Sequence, residues 1–246
     1  MRKIKIIYED ADIIVIYKPA GLATQTAKVG QNDIVSDLKN YLAKQAVATG
    51  KAPGQPYLGI IHRLDQPVEG LLVFAKNKKA AASLSAQLLD RETGFLNKQY
   101  YAVVCGKPAG ETGELVDYMY KNESGRAIVA AGSGRMKNGT AKKAVLHYGL
   151  VATAKSPSGK EFSLLDISID TGRFHQIRAQ MSHAGMALLG DAKYGNEQSQ
   201  ALSQELGVRN VALCAYNLEL LHPVTGAPLH FCIQPEAPIF SYFDGK

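Results

Sequence analysis

The chain shows two periodic patterns of apolar and polar positions, one of two residues and one near 3.6 residues. The two-residue alternation, with many β-branched side chains, predicts strands. They fall near residues 3–8, 12–18, 57–64, 70–75, 99–105, 143–151, 161–169, 211–221 and 228–233. Strands outnumber helices and do not alternate with them regularly. The pattern therefore predicts an α+β fold, built on a mainly antiparallel mixed β-sheet flanked by helices and loops.

Helical spacing predicts three helices. The first covers residues 33–47, and the second runs through 78–89 behind Asn77, a residue type that caps helix N-termini well. A third helix follows Thr171. Its predicted apolar stripe consists of Phe174, Ile177 and Met181.

Two stretches rich in turn-forming residues, 49–56 and 132–140, are predicted to be surface loops. Neither is long enough to separate independent domains, and the chain contains no internal repeat. We therefore expect a single domain over residues 1–246.

The net charge of +6 is spread along the chain, without an acidic or basic tail. This balance favours a polyanionic partner. No apolar run approaches the roughly 20 residues that a membrane span needs. Acidic residues interrupt the N-terminal apolar stretch, which argues against a signal peptide. We expect a cytoplasmic protein that does not associate with membranes.

Several kinds of chemistry are disfavoured. The cysteines, Cys105, Cys214 and Cys232, are far apart in apolar stretches, so we expect small buried side chains rather than disulfides or zinc ligands. The six histidines lack metal-binding spacing. The chain also has no dinucleotide fingerprint, phosphate loop or serine nucleophile elbow. We expect neither a cofactor nor a metal.

Polar residues follow an apolar approach in residues 60–70. Strand alternation places Arg63 and Asp65 on one face and His62 on the other. Pro67 and Gly70 then favour a turn. Polar groups at the end of a buried strand are placed where a rigid scaffold meets a cleft. A structural Arg–Asp pair is the alternative interpretation.

A second candidate segment covers residues 170–185. Arg178 lies on the flank of the predicted apolar stripe, where a partly buried guanidinium needs an anionic partner. Arg173 and His175 fall in the first helical turn, where anions bind favourably. An arginine whose charged head reaches solvent is the alternative.

A third candidate segment, residues 98–106, carries two adjacent tyrosines in a predicted strand. They point to opposite faces, so at most one can face a given cleft. Core packing is the ordinary role of such a residue, and stacking on an unpaired base is the functional alternative.

Taken together, these segments resemble the RNA pseudouridine synthases related to bacterial RluA. The similar segments are HisArgLeuAsp (62–65) with Gly70 and residues 71–77, TyrLysProAlaGlyLeu (17–22), residues 98–106, GlyArgPheHisGlnIleArg (172–178), GlyAspAlaLysTyrGly (190–195) and LeuHisPro (221–223). They occur in the family's order along most of the chain. The resemblance implies the pseudouridine synthase fold and conversion of uridine in RNA to its C-glycoside isomer.

The resemblance also implies residue roles. Asp65 is the catalytic carboxylate, which acts on the base or the sugar or removes a C2′ proton. Arg178 keeps Asp65 charged and oriented through a planar two-donor contact. Tyr100 stacks beneath a flipped-out base, and Arg63 fills the space that the base leaves. The remaining support positions are Arg173, His175 and Ile177, with Arg173 and the basic segment 132–143 as phosphate contacts.

Two departures from the family pattern concern RNA contacts. Glu69 stands where a serine is common, and Gln66 stands where many relatives have a basic residue. We expect Glu69 to lie near the cleft rim and to oppose phosphate. Because a strand begins almost at Met1, we also expect no separate N-terminal S4-type RNA-binding domain.

The predicted partner is RNA, either ribosomal or transfer RNA, bound by a monomer without an obligate protein partner. Two other functions are considered. One is an RNA-binding module on the same scaffold without catalysis, which the presence of Asp65, Tyr100 and Arg178 disfavours. The other is an unrelated hydrolase that uses Asp65 with His62, although alternation turns these side chains apart.

Overall fold

The computed structural model describes residues 4–26, 30–50, 54–89, 95–136 and 139–245. Its elements, in chain order, are β1 (Lys5–Glu9), β2 (Ile13–Lys18), α1 (Ile34–Ala48), β3 (Gly59–Ile60), β4 (Glu69–Ala75), α2 (Lys78–Leu89), β5 (Asn97–Cys105), β6 (Thr112–Lys121), β7 (Ala127–Ala130), β8 (Gly134–Met136), β9 (Gly139–Lys155), β10 (Glu161–Ile169), α3 (Gln176–His183), α4 (Glu197–Glu205), β11 (Leu213–Leu221), β12 (Pro228–Cys232) and a 3-10 helix (Pro238–Phe243).

The chain divides into two compact units. Unit 1 comprises residues 1–98 and 215–234, and unit 2 comprises residues 99–214 and 235–246. The single domain expected over 1–246 stays a prediction. No helix in the described ranges is long and apolar enough to cross a membrane.

The sheet of unit 1 has the strand order β1–β2–β4–β11–β12, with β3 paired to β4. The pairs β1–β2, β2–β4, β3–β4 and β11–β12 are antiparallel. Every residue of β2 is buried, and so is every residue of β4. Full burial agrees with the mostly apolar sequences of the two strands, in which Lys18 and Glu69 are the charged residues.

The helices of unit 1 begin where the sequence predicts them. The side chain of Asn77 accepts a 2.9 Å hydrogen bond from the Ala80 N–H, which confirms the predicted cap of α2. Asp33 caps α1 in the same way through the Ser36 N–H at 2.7 Å. Ala80 and Leu84 place the apolar face of α2 in the core of the unit.

Unit 2 is antiparallel in all its described pairings, with the order β5–β10–β9–β6–β7 and β8 paired to β9. β10 has the bounds that the sequence predicts. The prediction of a loop over 132–140 is wrong for residues 134–136 and 139–140, since β8 pairs there with the start of β9. β6 and β7 were not predicted, because partly exposed strands lack a clear apolar alternation. The mainly antiparallel sheets with few helices confirm the α+β class.

The third predicted helix starts later than expected. α3 begins at Gln176, so Phe174 lies outside it, and the Phe174 side chain is 41% exposed. The prediction that Phe174 belongs to a buried stripe is therefore wrong, whereas Ile177 and Met181 are buried. α3 packs against β6, β7 and β9. Helix α4 was not predicted.

The three cysteines lie in different surroundings. Cys214 is buried, Cys105 is half-buried, and Cys232 is exposed. The expectation of burial is wrong for Cys232, because it ends β12, a strand whose side chains alternate between exposed and half-buried positions.

Candidate active site

Asp65 lies in unit 1 at the start of a tight turn. The Val68 N–H donates to the Asp65 carbonyl at 3.0 Å and closes this turn around Pro67, as the sequence predicts. The Asp65 side chain is half-buried, and Arg63, two residues earlier, is exposed. A carboxylate at such a position is accessible and also held by a constrained backbone.

The segment before Asp65 keeps the predicted alternation of exposure without forming a long strand. His62 and Leu64 are buried, and Arg63 is exposed between them. Within the predicted strand 57–64, only β3 (Gly59–Ile60) pairs with another strand. The Thr24 hydroxyl instead pairs with Leu64, donating to its carbonyl at 2.9 Å and accepting from its N–H at 3.2 Å. A side chain thus satisfies the backbone groups that a strand would pair.

A buried lysine stabilises the turn that begins at Asp65. Lys18 is fully buried, and its Nζ donates to the carbonyls of Pro19 (3.0 Å), Leu22 (2.7 Å) and Gln66 (3.2 Å). The Gly21 N–H donates to the same Gln66 carbonyl at 2.8 Å. These contacts join the segment 18–22 to the residue that follows Asp65.

Burial lowers the pKa of Lys18 to about 8, although the nearby charges of Asp65 and Glu69 favour its protonated form. Glu69 is only 3% exposed, and its carboxylate accepts a 2.5 Å hydrogen bond from the Tyr17 hydroxyl. The expectation that Glu69 lies at a cleft rim and opposes phosphate is therefore wrong. Glu69 is instead a buried negative charge beside Lys18, at the start of β4. The sequence did not show this burial, because the serine that is common at this position is compatible with a buried or an exposed site.

Gly70 follows Glu69 and requires a glycine. Its φ of +130° is rarely adopted by other residues, and a Cβ there would lie 2.5 Å from the backbone N and O of Ala215. The backbone of β4 thus approaches β11 closely beside the Asp65 turn.

His62 is a neutral core residue. Its Nε2 accepts a long, 3.4 Å hydrogen bond from the Val73 N–H, and its Nδ1 has no hydrogen-bond partner among the described residues. Burial, with a smaller effect of the Lys98 charge, holds the pKa of His62 well below its usual value. These properties give no support to a hydrolase that pairs His62 with Asp65.

Arg178 lies in unit 2 on α3, where it is only 5% exposed. Its Nε and Nη2 donate to the two carboxylate oxygens of Asp191 at 2.7 and 2.8 Å. Arg178 therefore makes a planar two-donor contact, with Asp191 as its partner. The pairing of Arg178 with Asp65 stays a prediction. Asp191 was missed as a partner, although it lies in the segment 190–195 that resembles a family motif.

Asp191 organises the residues around Arg178. Its Oδ1 also accepts the N–H groups of Lys193 and Tyr194, each at 3.0 Å. Burial by itself would raise the pKa of Asp191, but the hydrogen bonds and charge of Arg178 outweigh it and the pKa is lowered. The Arg178 guanidinium also lies 5.0 Å from the centre of the Tyr194 ring.

His175 and Arg173 precede α3 rather than lying in its first turn, which corrects their predicted placement. His175 has a left-handed backbone, with φ of 50°, and its Nδ1 lies 2.8 Å from the Tyr194 hydroxyl. Arg173 donates from Nε to the Lys143 carbonyl at 2.9 Å. The left-handed backbone of His175 is uncommon for a non-glycine residue, although histidine adopts it more often than most.

Gln176, the first residue of α3, holds the segment before the helix in place. Its Oε1 accepts from the Thr171 hydroxyl at 2.7 Å and from the Arg173 N–H at 2.9 Å. Its Nε2 donates to the Val145 carbonyl at 3.0 Å. Sequence reasoning missed Gln176, since only the structure shows that the amide joins the segment before α3 to β9.

The other candidate residues of unit 2 are placed as follows. Tyr100 is 5% exposed on β5, opposite Ile167 of β10, and the adjacent Tyr101 is half-buried. Ile177 is also 5% exposed. Within the basic segment 132–143, Arg135, Lys142 and Lys143 are exposed, and Lys137 lies outside the described residues.

One cluster in unit 1 has the residue types of a metal site. Asp10, Asp12 and His222 each have a ligand atom within 4.8 Å of the others. Hydrogen bonds within the protein account for this arrangement. Asp10 pairs with the His222 Nε2 at 2.8 Å, and Asp12 accepts from the Asn77 amide at 2.7 Å. The cluster connects β1, α2 and the end of β11.

Comparison with known proteins relates this geometry to one family. The family described as RNA pseudouridylate synthase matches residues 12–183. Ribosomal large subunit pseudouridine synthase D of Zymomonas mobilis is 34% identical over 233 residues, which cover 93% of this chain and 68% of that protein. The tRNA pseudouridine synthase C of Yersinia pestis is 28% identical over 242 residues, covering 96% and 88%.

The fold agrees with these relatives. Human RNA pseudouridylate synthase domain containing 1 superposes with a TM-score of 0.69 at 22% identity, covering 95% of this chain and 84% of that chain. The chain therefore belongs to the RNA pseudouridylate synthase family and is an isomerase that converts uridine in RNA to pseudouridine.

Proposed function

We propose that Asp65 is the catalytic carboxylate and that the target is a uridine in ribosomal or transfer RNA. The observation that carries the proposal is the position of Asp65, half-exposed in a turn that the buried Lys18 holds through the Gln66 carbonyl. The names of the relatives, a ribosomal and a transfer RNA enzyme, support the two substrate classes.

The reaction breaks the N1–C1′ bond of uridine, turns the uracil and joins C5 to C1′. The proton leaves C5, and N1 regains one. A carboxylate promotes this exchange by adding to the sugar or the base, or by removing a C2′ proton. All these routes require a charged carboxylate at a fixed position, which the turn around Pro67 provides.

The family pattern implies support roles for further residues. Arg63 is exposed, as a side chain that replaces a flipped-out base must be. Tyr100 stacks beneath the flipped-out uracil. Arg178 forms a rigid charged pair with Asp191 and so positions the segment 190–195. Arg173, His175 and Ile177 support RNA contacts at the start of α3. We further propose that the enzyme works as a single 1–246 domain, as a monomer in the cytoplasm.

Asp65→Asn tests the assignment, because it keeps the shape of the side chain and removes its charge. We expect pseudouridine formation to fall below detection while RNA binding remains, since phosphate contacts supply most of the binding. The assay is pseudouridine-specific chemical mapping of ribosomal and transfer RNA from cells lacking the gene. Asp37→Asn, on α1, is the matched control and should keep full activity. Wild-type turnover by Asp65→Asn would refute the assignment.

A further inference from the structure

Phe174 is a large apolar side chain held at the surface of unit 2. It is 41% exposed and stacks on the ring of His175, with ring centres 3.7 Å apart and planes inclined by 22°. The residue lies just before α3, outside the helix. The fold therefore presents an aromatic ring to solvent on top of a second aromatic ring.

The His175 ring is held in place by Tyr194. His175 meets Tyr194 edge-to-face, with ring centres 5.6 Å apart, and its Nδ1 lies 2.8 Å from the Tyr194 hydroxyl. The same hydroxyl accepts the Ala127 N–H at 2.8 Å. Tyr194 is only 5% exposed, so the stack stands on a buried residue. A rigid aromatic surface loses little conformational entropy when a ligand stacks on it.

Two cations lie beside the stack. The Lys121 Nζ lies 4.7 Å from the centre of the Phe174 ring, and the Arg126 guanidinium lies 5.0 Å from that of Tyr194. Both cations are exposed at the two ends of the β6–β7 turn. The turn also carries one exposed acidic residue, Glu123, so the balance beside the stack is positive.

An exposed aromatic ring beside cations is better suited to bind a single-stranded nucleic acid than to bind an apolar protein surface. Unpaired bases stack on aromatic rings, and the flanking phosphates pair with lysine and arginine. Lys121 can leave the ring, because its long flexible stem lets the ammonium follow a phosphate.

We propose that Phe174, supported by His175, is a stacking site for an unpaired base of the RNA substrate, with Lys121 and Arg126 contacting the adjacent phosphates. The inference rests on the proposed function, since it names a contact with the same RNA. It assigns to Phe174 a part in substrate binding and none in the bond changes at uridine.

The chain contains no tryptophan, so Phe174→Trp creates a single fluorescent reporter at the site. We expect a single-stranded oligoadenylate of about 12 nucleotides to quench this tryptophan, because stacking tolerates any base. A duplex RNA of the same length should quench it far less. The control is Tyr242→Trp, in the same unit and also exposed (43%), whose emission should not respond. Equal quenching of both reporters would refute the stacking site.

Enzyme kinetics separate binding from chemistry. Phe174→Leu keeps an apolar side chain without a π face, and we expect about tenfold weaker RNA binding and a higher KM, with kcat unchanged. Phe174→Tyr should restore the affinity. Unchanged affinity of Phe174→Leu would overturn the proposal, and so would emission of the Phe174→Trp protein that changes with protein concentration alone. In both cases loss of turnover in Asp65→Asn would still support the proposed function.

Discussion

The guanidinium of Arg178 and the carboxylate of Asp191 form a buried two-donor ion pair, with distances of 2.7 and 2.8 Å. The pair joins α3 to the segment that carries Tyr194, and the Tyr194 hydroxyl in turn holds His175. A buried ion pair of unit 2 thus supports the residues at the start of α3.

Asp191→Asn should destabilise the protein strongly, by about 3–5 kcal/mol, because it removes the carboxylate that meets the Nε–Nη2 edge of a buried guanidinium. Urea unfolding measures the change. The control is Asp170→Asn, which breaks the exposed contact of Asp170 with His147 and should cost about 0–1 kcal/mol. Equal losses for the two variants would contradict the importance of the buried pair.

The stability difference between wild type and Asp191→Asn should depend on pH. The pKa of Asp191 is lowered in the folded protein, so its ion pair contributes stability above the unfolded pKa, near 4, and loses it as pH falls through the folded pKa. The difference between wild type and Asp191→Asn should therefore shrink below about pH 4. A constant difference down to low pH would rule out this linkage.

Glu69→Gln tests the burial of Glu69 next to Lys18. The amide keeps an acceptor for the Tyr17 hydroxyl but removes the negative charge, so we expect a decrease of about 1–3 kcal/mol in the free energy of unfolding. RNA affinity, measured by filter binding at constant salt, should stay unchanged, because the carboxylate does not face solvent. Tyr17→Phe, which removes the hydrogen bond and keeps the charge, is the control. Tighter RNA binding by Glu69→Gln would instead indicate a charge that faces phosphate.

Lys98 should make stability rise with pH. Burial lowers its pKa to about 8, whereas an unfolded lysine titrates near 10.4. Between these values the unfolded chain binds more protons, so unfolding becomes less favourable as pH increases. Wild type should gain stability relative to Lys98→Met between about pH 8 and 10. The exposed Lys78 offers a control variant, Lys78→Met, whose difference from wild type should stay flat.

RNA affinity should fall steeply with salt, because we expect exposed cations of unit 2 to contact phosphates. We expect a linear decrease of log K with log salt between about 50 and 200 mM. Replacing Lys142 or Lys143 with glutamine should reduce the slope by about 0.7–0.9 for each phosphate that the lysine neutralises. Lys78→Gln, on α2, should leave the slope unchanged. A flat salt dependence of the wild type would mean that the protein neutralises few phosphates.

Local sequence determined much of the fold and the position of Asp65. Asn77 caps α2 because its amide oxygen accepts a hydrogen bond three residues ahead, which is a contact within one segment. The turn around Pro67 and the alternating exposure of His62, Arg63 and Leu64 are also local consequences of backbone geometry. Such features need no knowledge of distant parts of the chain.

Tertiary structure alone decided the partners and the burial of the charged and aromatic residues. Arg178 required an anion, but both Asp65 and Asp191 were available in the sequence, and packing gave the Nε–Nη2 edge to Asp191. Glu69 is buried because Tyr17 and Lys18 lie beside it, and Phe174 is exposed because α3 begins after it. These outcomes depend on contacts between segments distant in sequence, whereas hydrophobic periodicity reports only which face of a single element is apolar.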